Sequence, residues 1–163
     1  MALERTGLGI VKGMALTLKH AFRPSITTQY PEEKLVTSKR ARPPQLVWEE
    51  ERCTVCATCA KACPQGNITI VSKKLDNSYY MDYLEIDHGR CMFCGLCVEA
   101  CPFDAIHMGR DYEQAQYRRM DLVQFRDEVK MSEKRRPSGY FRPRFEAEMP
   151  PQTLLVYGER KGK

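Results

Sequence analysis

Outside two short runs the 163-residue chain has no cysteine, and it has one tryptophan and three histidines. No apolar stretch approaches the ~20 residues that a spanning helix needs, so these residues do not describe an integral membrane protein. The start of the chain lacks a small-residue cleavage site and carries Glu4, which argues against a signal or transit peptide. Without a signal, and with cysteines at adjacent spacings that bond one another awkwardly, a disulfide framework is a poor use of the sulfur. No helix-turn-helix, zinc finger or RNA-binding aromatic signature is present, so nucleic acid is not an expected partner. The three histidines do not fall in a Rieske spacing, and no catalytic acid, base or nucleophile is assigned.

What is present is a repeated motif. Cys53-Thr-Val-Cys56-Ala-Thr-Cys59-Ala-Lys-Ala-Cys63-Pro64 returns as Cys91-Met-Phe-Cys94-Gly-Leu-Cys97-Val-Glu-Ala-Cys101-Pro102, and the two copies use all eight cysteines. The C-x2-C-x2-C-x3-C-P spacing is that of two 4Fe-4S clusters in which the fourth cysteine of each run ligates the other cluster. Three thiolates at i, i+3 and i+6 wrap three iron corners, while the loop N–H groups face the cluster sulfurs. Ala60-Lys61-Ala62 and Val98-Glu99-Ala100 suit a helical turn that swings the fourth cysteine away, and Pro64 and Pro102 limit its continuation. One cluster is therefore expected on Cys53, Cys56, Cys59 and Cys101, and the other on Cys91, Cys94, Cys97 and Cys63. Structural zinc is the competing use of thiolates, but zinc usually takes two separated cysteine pairs.

The formal net charge of +5 treats every cysteine as neutral. Two oxidised clusters at about −2 each would bring the loaded protein to about +1, so the basic excess largely counterbalances the cofactors. Leu46-Val-Trp48, Asn67–Val71, Tyr79–Ile86 and Ala105–Met108 read as strands, and the two halves superpose at an offset of 38, Ile68 on Ile106. The fold class expected is α+β, a duplicated, pseudo-two-fold dicluster ferredoxin fold. Some 65 residues bury too little apolar area alone, so ligation supplies much of the folding free energy. Trp48 is read as packing. His20, His88 and His107 are read as surface or supporting residues, with His107 close enough to a ligand loop to tune a potential.

Before this domain, Leu8, Val11, Ala15, Leu18 and Phe22 form one apolar stripe, widened by Met14 and edged by Lys12 and Lys19. An amphipathic helix of this kind suits a membrane surface or a protein neighbour. Ser25–Pro31 reads as extended chain, and Lys39–Pro44 as a basic, polyproline-like linker. Beyond Gly109, Asp121–Lys130 is expected to be a helix with Leu122, Phe125 and Val129 on one face. The proline-rich remainder, with Thr153–Tyr157 as its apolar knot, is expected to lie along a neighbour. The division expected is 1–44, an arm; 45–109, the cluster domain; and 110–163, a C-terminal helix and extended tail.

Gly13-Met-Ala-Leu-Thr-Leu-Lys-His-Ala-Phe-Arg-Pro24, Tyr30-Pro-Glu-Glu-Lys34, Arg90-Cys-Met-Phe-Cys-Gly-Leu-Cys97, and Tyr112-Glu leading to Asp121-Leu-Val together resemble subunit I of bacterial NADH-quinone oxidoreductase, respiratory complex I. The resemblance spans roughly residues 8 to 130. It implies a peripheral subunit on the cytoplasmic face of the inner membrane, relaying electrons through two 4Fe-4S clusters toward a terminal cluster and quinone, coupled in the complex to proton translocation. The partners implied are neighbouring iron–sulfur subunits, the membrane subunit by the quinone site and the membrane surface. A subunit of a related membrane hydrogenase, a ferredoxin- or F420H2-dependent quinone reductase, and a free dicluster ferredoxin are the alternatives.

Overall fold

The computed structural model describes residues 7–24 and 27–152. Glu4, Ser25, Ile26 and the apolar knot at Thr153–Tyr157 lie outside the described residues. The chain divides into two compact units, 1–35 and 36–163. The first carries helix α1, Leu8–Ala21, which starts at Gly7 in a left-handed conformation (φ 75°) and has Lys19 and His20 in its last turn. None of its residues is buried, and Leu8, Val11, Leu18 and Phe22 all stand exposed. Among the described residues no helix is long and apolar enough to cross a membrane.

The second unit is built on two small antiparallel sheets. Strand β1 (Leu46–Trp48) pairs with β4 (Ile106–Met108), and β2 (Ile68–Leu75) forms a hairpin with β3 (Ser78–Asp87). Short helices α2 (Thr58–Ala62) and α3 (Leu96–Glu99) each contain the third cysteine of one motif, Cys59 and Cys97. The expected duplication is visible in the pairing itself. Trp48 opposes Ile106 and Leu46 opposes Met108, while Ile86 opposes Ile68 and Leu84 opposes Ile70. Shifting the first pair of contacts by 38 residues in the appropriate direction reproduces the second. The core lies between the sheets and the two helices, with Leu46, Trp48, Leu84, Ile86, Val98 and Ile106 buried together.

Two expectations for the C-terminal part are corrected. Residues 121–130 do not form one helix: a 3-10 turn covers Arg119–Leu122, strand β5 (Val123–Phe125) joins the free edge of β3, and α4 is only Arg126–Val129. The unpaired backbone groups of Glu85–Asp87 offer β5 a ladder, and Val123 and Phe125 suit an extended edge better than a helix. Of the expected stripe, Val129 is buried but Phe125 is 46% exposed. Nor do residues 131–149 run free of the domain. Met131 N–H donates to the Trp48 carbonyl at 2.8 Å, and Ser138 N–H to that of Met108 at 2.7 Å. Gly139 N–H bonds Lys39, and the Ser138 hydroxyl donates to Ala41 at 3.1 Å. The linker and the tail thus fasten each other, because each supplies the backbone partners the other lacks.

Candidate metal centres

The eight thiols gather in two sets. One cavity, about 430 Å³ out to its mouth, is lined by Cys53, Cys56, Cys59 and Cys101, with Trp48, Ile70, Leu84, Phe103 and Ile106 among its walls. The other, about 360 Å³, is lined by Cys91, Cys94, Cys97 and Cys63, with Leu46, Ile68, Asn67 and Met108. In each, three cysteines come from one motif and the fourth from the other. Among the described residues no three His, Cys, Asp or Glu side chains converge as the ligands of a single ion would. Four soft thiols around an otherwise apolar space are instead the donor set for an iron–sulfur core.

The loops are bent to the same purpose. Val55 (φ 57°) and Ala57 (φ 57°) in the first, and Phe93 (φ 52°) and Gly95 (φ 85°) in the second, are left-handed, as are Gly66 (φ 58°) and Asp104 (φ 52°) after each fourth cysteine. All three pairs are related by 38 residues. A β-branched or bulky residue in this region costs about 1–2 kcal/mol, so the strain marks backbone held for a reason. Alternation between right- and left-handed residues turns successive N–H groups into one concavity, which suits an anionic core.

The thiols differ in chemistry. Burial pushes Cys97 up to about 12 and Cys59 up to about 11, with neighbouring thiols adding to both, and burial also raises Cys91. These groups hold their protons at neutral pH without iron, so loading the site must displace them. Cys56 is exposed, and the Thr58 hydroxyl 3.2 Å from its sulfur draws it below the ordinary thiol value. The fourth cysteines also differ: Ala105 N–H donates to Cys101 Sγ at 3.3 Å, whereas Cys63 Sγ donates to Asn67 Oδ1 at 2.5 Å. Thr58 and Asn67 stand where the other half has Leu96 and Ala105, a difference readable from the offset alone.

No local signal announced the C-terminal cover of the second loop. Tyr140 lies against Gly95, donates its hydroxyl to Glu99 at 2.5 Å, and sits under the Arg42 guanidinium at 5.4 Å. Arg42 also donates to the Cys94 carbonyl at 3.0 Å, and Arg142 pairs with Asp104. Of the histidines, His20 is on exposed α1, His88 is buried without side-chain partners, and His107 Nε2 lies 3.3 Å from Glu49 Oε2 beside the Phe145 ring. None of them is among the residues lining either cavity.

Comparison with known proteins agrees with this geometry. Residues 52–105 match the 4Fe-4S dicluster domain. NADH-quinone oxidoreductase subunit I of Tolumonas auensis is 40% identical over 127 residues, spanning 75% of this chain and 71% of that protein. The protein of the same name from Aeromonas salmonicida is 38% identical over 137 residues, 77% of this chain and 76% of that one. A chain in the solved membrane-bound sulfane sulfur reductase, an archaeal respiratory membrane complex, is 26% identical with a TM-score of 0.47, over 66% of this chain and 56% of that chain.

Proposed function

This chain belongs to the NADH-quinone oxidoreductase subunit I family, and from that membership we propose that Cys53, Cys56, Cys59 and Cys101 hold one 4Fe-4S cluster and Cys91, Cys94, Cys97 and Cys63 the other, as successive stations of an electron relay. The chain is an electron-transfer subunit of this oxidoreductase complex, and its cofactors are two 4Fe-4S clusters. When bound, each cluster takes up and hands on an electron; the protein fixes position, potential and exclusion of water. The single observation that carries the ligand assignment is the mixed composition of each cavity, three thiols from one motif and the fourth from the other. Short helices α2 and α3 account for it, because each carries the chain away from its own loop before the fourth cysteine.

The rest of the proposal concerns placement. Its partners are other subunits of the complex; in the finer reading these are iron–sulfur neighbours on the input side and the membrane subunit beside quinone on the output side. The division 1–44, 45–109 and 110–163 assigns docking to the arm, cluster holding to the middle, and covering to the C-terminal part. The exposed apolar stripe of α1 supports attachment at a membrane surface; the cytoplasmic face is proposed from the family resemblance alone. Turnover belongs to the complex, with no acid, base or nucleophile supplied by this chain.

The test is Cys63→Ser beside Cys101→Ser, each read by redox-titrated EPR in the assembled complex. Cys63→Ser should perturb the cluster on Cys91, Cys94 and Cys97, and Cys101→Ser the one on Cys53, Cys56 and Cys59. Perturbation confined to the motif that carries the substitution would refute the exchange of ligands.

A further inference from the structure

The Trp48 side chain ends β1 at 3% exposure, and its Nε1 is buried without a hydrogen-bond partner. A buried donor left unpaired costs about 1–3 kcal/mol, so the native protein is expected to give it an acceptor. Trp48 is among the residues that line the cavity of Cys53, Cys56, Cys59 and Cys101. Ile70, Met81, Leu84, Phe103 and Ile106 in that wall carry no side-chain acceptor stronger than a thioether, the Thr54 hydroxyl in the same wall does not reach the indole N–H, and the nearby Ala105 carbonyl already accepts from Glu49 N–H at 2.8 Å. The ring is also pinned: Trp48 is paired with Ile106 in the β1–β4 ladder, and its carbonyl accepts from Met131.

Resting on the ligand sets proposed above, we propose that the Trp48 indole N–H donates a hydrogen bond to a sulfur of the cluster held by Cys53, Cys56, Cys59 and Cys101. A donor at sulfur favours the more negative, reduced state, so Trp48 raises the potential of this cluster. At the equivalent position the other cavity has no such donor; its own side-chain amides, Gln65 and Asn67, are directed elsewhere, Asn67 Nδ2 to the Asp87 carbonyl at 3.0 Å and Gln65 Nε2 toward Met92 Sδ at 3.9 Å. Most of the second cavity's wall is the first's shifted by 38 residues, Leu46 for Leu84, Ile68 for Ile106 and Met108 for Ile70. The residue corresponding to Trp48 is Ile86, which has no N–H in its side chain and does not line that cavity. Trp48 is therefore a residue that makes two duplicated sites electronically unequal.

The test uses the full chain loaded with both clusters and titrated by EPR, with Cys56→Ser and Cys94→Ser identifying the two signals. Trp48→Phe should shift the reduction equilibrium of the Cys56 cluster about tenfold toward the oxidised form, ~59 mV lower for one electron, and leave the Cys94 cluster in place. Benzothienylalanine at position 48 keeps the bicyclic shape and removes only the N–H, so it decides the matter if the phenylalanine variant fails to load. It should give the same shift. In 15N-tryptophan-labelled loaded protein, the single indole N–H resonance should carry a paramagnetic shift. An unchanged potential with benzothienylalanine, an equal shift of both clusters, or a shift confined to the Cys94 cluster overturns the proposal. The ligand sets are judged separately by Cys63→Ser and Cys101→Ser, which leave Trp48 intact.

Discussion

The two ligand loops share one backbone and differ in their surroundings. The loop around Cys56 is open at that cysteine, which is exposed, whereas Tyr140 lies against Gly95 in the other loop. The loop around Cys94 is covered by Tyr140 and Arg42, and its third cysteine, Cys97, is buried. Duplication supplied two equivalent sites, and substitutions within the duplicated segment together with residues outside it made them different. The open site receives polar attention from within its own half, Thr58 at Cys56 and Trp48 in the wall, while the covered one is enclosed by a segment about forty residues further along the chain.

The comparison is broken most strongly at Gly95 and its counterpart Ala57, both left-handed. A Cβ at Gly95 would come within 2.6 Å of the Tyr140 ring, whereas Ala57 already carries one. Gly95→Ala should therefore destabilise the loaded chain by roughly 2–4 kcal/mol, the sum of left-handed strain and a crowded ring. Ala57→Gly should stay within about 1 kcal/mol of the parent, because relief of strain offsets the added freedom of the unfolded chain. Denaturant midpoints measured side by side check this, and equal losses would show that the cover does not press on Gly95.

Removing the cover sharpens the comparison by a smaller amount. Tyr140→Ala loses the bond to Glu99 and the ring contact, roughly 1–2 kcal/mol of local closure, which corresponds to about 5–30-fold easier opening. Bleaching of the loaded chain by a chelator should be biphasic in the parent, with the Cys56 cluster lost first. In Tyr140→Ala the slow phase should accelerate by that factor toward the fast one, as followed by visible absorbance and EPR. A fast phase that accelerates instead would place the protection elsewhere.

The smallest effect distinguishes the two sheets. His107 is buried in the β1–β4 sheet, and its counterpart in the hairpin is Thr69. Burial holds His107 below the ordinary 6.5, with Glu49 partly opposing it. A depressed value means that the unfolded chain binds the proton more readily, so the contribution is complete above about pH 6.5 and falls away as pH drops below it. Buried His88 shares the direction. His107→Gln should flatten the acid limb of the stability curve by under about 1 kcal/mol between pH 6.5 and 5. A limb unchanged in slope would assign it to His88 or to carboxylates.

The cysteine spacing determined the cofactor class, because a cubane needs four thiolates, and it led to the expectation of two mixed sets of cysteines, the sets that line the two cavities. The offset of 38 determined the duplicated strands, since side-chain alternation in β2 and β3 had to repeat that in β1 and β4. The helical stripe from Leu8 to Phe22 was legible for the same local reason, and α1 forms over Leu8–Ala21. Val123–Phe125 was not legible as a strand, because an apolar pattern of three- and four-residue steps says helix until a free sheet edge is known to be waiting beside it. Nor was the return of residues 131–149, whose polar and proline-rich composition resembles a loose tail. Its order comes from hydrogen bonds to Lys39, Ala41, Trp48 and Met108, partners 80 to 100 positions away for the first three. Local sequence decided which thiols exist and which elements carry them; the covering of one cavity, and the burial of an unpaired indole N–H at Trp48 beside the other, were decided only when distant segments met.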